Sequence, residues 1–526
     1  MNVQQYIAKL DKLKTYRGTL DTYWQEVADH VFPYRDFTTT RQTGDKRNTE
    51  LYDTTALYAL KQLASGLHGM LTPPSSRWFN VGSDVKDLDD AGRQWLETAT
   101  EFCYSVFLNP DTRFASQSHE FYLDICAFGN AVMLPTYDKQ RGFRFRTRKL
   151  ANCYISEDDS GTIDTLYFKD ELTAEDLYKE YGDDCSPKVI ELVSKPETCK
   201  TKIMFLHVVE TRNKNYGKAN LDKNKPFKSV HIDLTNKYIM KESGFDFFPY
   251  IFARFYKRSG EFYGYGPAME ALPEAKMLNR MMETMLRVVE KMADPVTLMP
   301  YESAMSPYRL DAGAINYYDP DVGEPKPFAN NARPDFLDNV IKSKQAHIQS
   351  MFFVDWMNLP ERANMTATEV LSRQQERLRL LSPMLARLEV EHLSVLINLI
   401  IFLGMENKLL PPLPESLSGA ETSIQYLSPI AVAQRQDDVN RVIQSISLAA
   451  QMAQFDPNVM QNFKTDEIVR SISLDTYNIP TKFVKTQEEL AIERQNQQPS
   501  PDQIETLSKA GKNIAGAIGD LGLAGQ

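Results

Sequence analysis

Tyr263-Gly264-Tyr265-Gly266-Pro267, and the Met-rich run from Pro273 to Asp294 that follows it, is the stretch on which the fold turns. Pro273 suits the first turn of a helix, where its missing N–H would find no partner anyway. Met277, Met281, Met285, Val288 and Met292 then recur at close to helical spacing, with Arg280 and Arg287 on one line and Glu283 and Glu290 on another. The stripe reads first as core packing. Pro295 ends the run, so some 20 residues make a rod of about 30 Å. A Pro- and Tyr-rich insert, Pro295 to Pro334, separates this rod from a second, Asp335 to about Trp356. The second rod carries Phe336, Val340, Ile341 and Ile348, with Lys342, Lys344 and His347 on its remaining faces. The polar connector Asn358 to Thr366 opens a third, longer helix. Helix, small β-rich insert, helix, polar loop, long helix is the order of a helical hairpin carrying a tip domain. It is not the order of an enzyme built around a pocket.

The chain has 526 residues, 42% hydrophobic and 25% charged, enough to bury large cores in two to four domains. A net charge of −10 argues against a protein that grips nucleic acid over a broad basic face, though not against one that lets a polyanion slide past. Five cysteines without a C-x-x-C pair read as reduced thiols. The polar start, Met1 to Gln5, carries no secretory signal. The longest apolar run, Leu393 to Leu403, is too short to span a bilayer of about 30 Å, so no membrane partner is expected.

Working outward to the N-terminus, residues 2–31 form an amphipathic helix and residues 49–70 a second, with a loop between them. Arg77 to Val81 reads as a short strand, followed by helices at 89–108 and 114–127. Phe128-Gly129-Asn130 stops the latter and leads into an apolar strand. From 131 to 255 the period becomes two: Phe143-Arg144-Phe145-Arg146 alternates, and Asp158-Asp159-Ser160-Gly161 is the turn of a hairpin. A short helix at Ala174 to Tyr181 interrupts the strands, which resume at Ile203–Arg212, Ser229–Leu234 and Tyr250–Phe255. On the C-terminal side, the third helix runs from Thr366 to Leu403 and is expected to kink near Pro383. A strand at Ile424 to Leu427 is expected to return the chain to the β-rich body. Helices at 429–453 and 457–474 follow, and then a mobile Gln-, Gly- and Ala-rich end after 495.

Motifs for chemistry are missing. The chain has no Walker A loop, no H-E-x-x-H, no G-x-S-x-G and no spaced Cys/His set. Its seven histidines are scattered singly and read as satisfied surface or core residues. Glu157-Asp158-Asp159 lacks the glutamate that would complete a calcium loop, and a turn explains it better. Thr366-x-x-Glu369 has capping-box spacing. No cofactor is expected.

An ordered set of short motifs resembles the portal, or head-to-tail connector, proteins of short-tailed bacteriophages. Its core is Phe248-Pro249-Tyr250 with Arg254, Gly260-Glu261-x-Tyr263-Gly264-x-Gly266-Pro267, and Leu272-Pro273-x-x-Lys276-x-Leu278-Asn279. Thr72 to Phe79 and Phe128-Gly129-Asn130-Ala131 precede it. Arg362 to Val370 with Arg373 follows, and the likeness covers roughly residues 1–480. The resemblance implies an α+β portal fold, mainly helical, with a β-rich wing and a small β-containing clip. It implies a ring, usually dodecameric, at one capsid vertex of the virion, assembled in the host cytoplasm. Residues 1–262 would be the wing, 263–295 and 334–357 the stem helices, 296–333 the clip and 358–367 a tunnel loop facing DNA. Residues 368–428 would be the kinked helix returning to the wing, 429–494 the crown and 495–526 a flexible tail. The implied partners are double-stranded DNA, the large terminase subunit, the major capsid and scaffolding proteins, and a tail adaptor.

The residues themselves supply a mechanism. A lysine or arginine that touches phosphate contributes a salt-dependent, sequence-independent attraction, and a ring repeats it as a belt. The candidates are Arg362 and Asn364 in the loop, with Lys342 and Lys344 on the second rod, and Glu361 stands beside them in the implied tunnel loop. Tyr301, Tyr308, Arg309, Tyr317 and Tyr318 are candidates for the docking surface of the clip. Two readings compete: another structural ring or adaptor of the head-tail junction, and a metal-dependent nuclease or transferase using Asp158, Asp159 and Asp164. The length of the chain counts against the first, and carboxylates found only in turns against the second.

Overall fold

The structure, a computed structural model, describes residues 2–39, 44–46, 51–74, 77–84, 89–212, 224–293, 297–298, 321, 326–327, 334–357, 382–417, 422–426, 441–442, 444–449 and 468. They fall into two compact units: Met1–Trp78 with Cys103–Leu409, and Phe79–Phe102 with Leu410–Gln526. In chain order the elements are α1 (Val3–His30), α2 (Thr55–Leu71), β1 (Phe79–Ser83), α3 (Asp90–Leu108), α4 (Phe114–Phe128), β2 (Asn130–Asp138), β3 (Gly142–Arg148), β4 (Cys153–Glu157) and β5 (Ile163–Thr173). Next come α5 (Ala174–Tyr181), α6 (Pro187–Val193), β6 (Lys202–Thr211), β7 (Phe227–Asp233), β8 (Tyr238–Phe245), β9 (Ile251–Arg254), β10 (Tyr256–Lys257) and β11 (Gly264–Tyr265). The chain continues through α7 (Pro267–Ala293), β12 (Thr297–Leu298), β13 (Lys326–Pro327), α8 (Pro334–Met351) and α9 (Val354–Met357). It closes with α10 (Ser382–Glu406) and β14 (Thr422–Tyr426).

The first unit is α+β. Its larger sheet is antiparallel, ordered β4-β5-β6-β7-β8, and both faces are covered. Because side chains alternate along a strand, Leu206, Val208, Val230 and Ile232 meet Val3, Tyr6 and Leu10 of α1 on one face. Ile203, Phe205 and Met240 meet Ala174, Leu177 and Val189 of α5 and α6 on the other. The smaller sheet is β3-β2-β9. Helix α10 packs on β2 and β9 and buries Leu393, Leu396, Ile397 and Ile400, which accounts for a helix long and apolar enough to cross a bilayer. In the second unit β1 pairs with β14, Phe79 opposite Tyr426, and Trp95 Nε1 donates to the Pro411 carbonyl at 3.0 Å.

Several expectations need correction. The strand near 424 pairs with β1 instead of returning to the larger sheets. Helix α2 starts at Thr55, because the Asp53 carboxylate accepts the Thr55 N–H at 2.8 Å and fixes the first turn there. β8 and α6 went unforeseen: the one alternates weakly as an edge strand carrying Lys241 and Glu242, and the other is only seven residues long. The second rod breaks after Met351, where Phe353 takes φ 57° and its N–H reaches Ser350 O at 2.9 Å. The third helix ends at Glu406, one turn beyond the expected Leu403. The Pro383 kink falls at the edge of the described residues. Within them, α10 departs from α geometry over Glu389–Ser394, a π-helical stretch. Of the expected helix at 429–453, the described residues 441–442 and 444–449 are helical.

Candidate functional site

The two motif stretches that flank the sheets meet. Gly129 closes α4 with φ 70°, and a Cβ there would lie 2.3 Å from the Tyr265 carbonyl carbon. Gly264 presses back from the other side, 2.7 Å from the Gly129 carbonyl oxygen by the same test. Only a residue without a side chain fits either place. Between them Asn130, fully buried, donates to the carbonyls of Phe128 and Gly264 at 2.8 and 2.9 Å and accepts the Gly264 N–H at 2.7 Å. The Tyr263 hydroxyl accepts the Ile155 N–H at 3.1 Å, while its ring lies edge-on to Trp24. The chain thus leaves the β-rich body at a fixed point and a fixed angle.

Arg254, at the end of β9, is the second anchor. Its guanidinium binds Glu391 of the π-helical stretch at 2.8 Å and Glu157 at the end of β4 at 2.8 Å. It also donates to the Gly161 and Phe262 carbonyls at 3.0 and 3.3 Å. Lys257 joins Glu157 at 2.6 Å, and Arg387 joins Glu391 at 3.4 Å. Glu157 is therefore engaged by two cations, while the Asp158 carboxylate accepts from Ser160 and Thr162 inside the turn. Among the described residues no cluster of three or more His, Cys, Asp or Glu is placed to hold a metal. His68, His207 and His231 are held by hydrogen-bond partners. His207 bonds Tyr250 and Ser229 through its two nitrogens at 2.7 and 2.9 Å, and stacks on His231. Burial pushes His231 down to about 4. His392 departs from that pattern: it is fully buried against Phe121, and neither ring nitrogen has a hydrogen-bond partner.

The helical hairpin rises from these anchors. Helix α7 begins at Pro267, not Pro273, with the Gly266 carbonyl taking the Met269 N–H at 3.0 Å. Pro273 therefore stands inside the helix and leaves the Met269 carbonyl without its usual i+4 donor. Tyr23 of α1 supplies the bond instead, its hydroxyl donating to Met269 O at 2.6 Å. Helices α7 and α8 pack on each other and on α2. Lys344 binds Glu274 across the hairpin at 2.9 Å, Gln345 donates to Asp53 at 2.9 Å, and Lys276 reaches Glu26 at 2.5 Å. Of the two predicted lysines, Lys344 thus lies in a cross-helix ion pair, and Lys342 pairs along its own helix with Asp338 at 2.7 Å.

No residue of the Met stripe is fully buried: Met277 and Met292 are exposed, and Met281, Met285 and Val288 are half-buried. The buried line of α7 is Ala268, Ala271, Leu272, Ala275 and Leu278, and no residue from Asn279 to Ala293 is buried. Met277, Leu286, Val289 and Met292 are 44–49% exposed, and Phe336 at the start of α8 is 72% exposed. Helical periodicity marked the stripe but not Leu286 and Val289, and it could not say what this chain covers. The two-residue ribbon β12–β13 joins the strands bordering the insert, Thr297 opposite Pro327. Glu361, Arg362 and Asn364, and Tyr301, Tyr308, Arg309, Tyr317 and Tyr318, lie outside the described residues. Sequence reasoning missed Glu391, Glu157 and Tyr23, whose roles depend on long-range partners.

An α+β body that fixes the root of a helical hairpin, while the hairpin leaves apolar side chains uncovered, is the geometry of a subunit built to pack against others. The sequence comparisons say which. Residues 3–484 match the family described as bacteriophage head to tail connecting protein. The chain is 27% identical over 539 residues to a probable portal protein of Bordetella phage BPP-1, covering 99% of this chain and 96% of that one. It is 26% identical over 496 residues to a portal protein of Salmonella phage epsilon15, covering 91% and 88%. The chain belongs to the bacteriophage head-to-tail connecting family and is a portal protein of the capsid vertex, structural and not enzymatic.

Proposed function

We propose that the chain assembles as a ring, a dodecamer, at one vertex of the capsid, and that double-stranded DNA passes through its centre during packaging and ejection. Helices α7 and α8 are the stem, residues 296–333 the clip, residues 358–367 a loop at the constriction, and residues 429–494 the crown. The observation that carries this reading is the hairpin itself: two helices rooted in the body, with apolar faces that a neighbouring subunit would cover. Each ring position then repeats Lys342 and Lys344 on the stem, and Glu361, Arg362 and Asn364 in the loop. A few cations per subunit on a chain of net charge −10 give phosphate a weak, sequence-independent attraction, which suits a duplex that must slide. The clip, through Tyr301, Tyr308, Arg309, Tyr317 and Tyr318, docks the large terminase subunit and later the tail adaptor. The rest of the ring contacts the major capsid and scaffolding proteins. Negative-stain electron microscopy with native mass measurement tests this reading. Rings of about twelve subunits with a central hole are expected, and Arg362→Ala should then lower the yield of packaged DNA without altering the rings. A monomer or dimer at every concentration would refute it.

A further inference from the structure

The β2–β3 hairpin carries a charge pattern that neither the stem nor the loop accounts for. Six of the eleven residues from Lys139 to Lys149 are Lys or Arg, and none is acidic, on a chain whose net charge is −10. The alternation of β3 sets the geometry. Phe143 and Phe145 point inward, and Phe145 packs against Phe107 and Phe114. Arg144, Arg146 and Arg148 share the opposite face, about 6.7 Å apart along the strand. Arg148 lies over the Phe168 ring and Arg144 reaches the Asp111 carbonyl, so these two brace the hairpin. Lys139, Arg141, Arg146 and Lys149 are exposed, and among the described residues none of them has an ion-pair partner. The carboxylate nearest the turn, Asp138, is occupied by the Gln140 and Arg141 N–H groups at 2.7 and 3.0 Å.

Elsewhere some exposed cations, such as Lys12, Lys188 and Lys408, have no ion pair among the described residues but stand apart in the sequence, and others are paired. Lys179 binds Glu175, Lys195 binds Glu191, Lys202 binds Glu171 and Lys342 binds Asp338. Unpaired like charges held together on a rigid edge repel one another, and the arrangement is stabilised by an anion laid along it. We propose that the β2–β3 hairpin is a second nucleic-acid contact, gripping the phosphate backbone of duplex DNA on the β-rich body, apart from the channel. Two of the four exposed cations, Arg141 and Arg146, are guanidinium groups, whose planar fork suits phosphate oxygens. The four exposed cations run from the turn to just past the end of β3, a reach that suits the extended backbone of a duplex. No base is read, so the contact is indifferent to sequence. The proposal rests on the portal reading only for the presence of DNA, and its test separates the two.

The probe is a relaxed, covalently closed circular duplex, which has no end to enter a channel. The assembled full-length protein is titrated with it over a range of salt concentrations. The comparison is a variant carrying Lys139→Gln, Arg141→Gln, Arg146→Gln and Lys149→Gln, all on exposed side chains. Wild type should bind with a steep dependence on salt, and the variant should lose up to about 3.6 from the slope of log affinity against log salt, about 0.9 for each phosphate contact. A second variant with Arg141→Lys and Arg146→Lys should keep the slope, which separates loss of charge from loss of fold. Rings that fail to bind the circle, or a quadruple variant with an unchanged slope, would overturn the proposal and leave the portal reading standing. A polyglutamate peptide of matched charge that binds as tightly as the duplex would also overturn it, in favour of an acidic protein segment.

Discussion

Arg254 shows how much one side chain does in this protein. Its side chain is 5% exposed, and its partners Glu391 and Glu157 are 16% and 12% exposed. An ion network so far from water is held less by its Coulomb energy than by the cost of leaving any member alone. Arg254→Ala would leave Glu157 with Lys257 alone and Glu391 with only the longer contact to Arg387. The expected loss is about 3–5 kcal/mol of stability, read as a lower urea midpoint. Arg254→Lys should recover only part of it, since an ammonium cannot bridge Glu157 and Glu391 while also donating to Gly161 and Phe262. Lys342→Ala, which breaks an exposed pair, should leave the midpoint where it was. A midpoint that shifts equally for Arg254→Ala and Lys342→Ala would mean that the network is ornamental. The sequence marked Arg254 as part of a motif, but its physical role was hidden. The two carboxylates it joins stand 97 and 137 residues away, and no spacing rule connects them.

At the scale of elements, the root of the stem depends on a repaired defect. Pro273 removes a donor from α7, and Tyr23 replaces it on the Met269 carbonyl. Tyr23→Phe should therefore cost about 1 kcal/mol in the native sequence, the net worth of a hydrogen bond. In a Pro273→Ala background the alanine N–H can take that carbonyl itself, and the penalty of Tyr23→Phe should largely vanish. A double-mutant cycle by urea denaturation reads this coupling directly, and additive penalties would refute it. The same helix shows what was legible and why. Its apolar period, its arginine line and its end near 294 were readable, because they are local. Its start was misplaced by one and a half turns, because Pro267 and Pro273 both carry the helix-start signal and only tertiary contact decides between them. Helix α4 was placed well, since Gly129 is a stop signal within the element itself. The break at Phe352-Phe353 was invisible for the opposite reason: no glycine or proline marks it, and Phe353 adopts φ 57° because its surroundings hold it there.

For the whole molecule, the decisive feature is apolar surface that one chain cannot cover. Met277, Leu286, Val289, Met292 and Phe336 stand exposed on a hairpin whose root is rigidly packed. The sequence assigned a stripe of this helix, Met277, Met281, Met285, Val288 and Met292, to the core; Met277 and Met292 are exposed and the other three half-buried, while Leu286 and Val289 lie outside the stripe. In the proposed ring, burial of this face would be completed between chains instead of within one. Burying apolar area contributes roughly 25 cal/mol per Å², so each such side chain covered by a neighbour adds to assembly without adding to the fold of the subunit. That separation is testable. A Leu286→Glu, Val289→Glu variant places charge on the exposed line and leaves Ala271, Ala275 and Leu278 untouched. Native mass should show subunits in place of rings, while circular dichroism and the thermal midpoint of the isolated subunit stay close to those of wild-type monomer. Rings that persist in the double variant would move the intersubunit contact to another face. A subunit that unfolds would mean that Leu286 and Val289 belong to the core of the subunit after all.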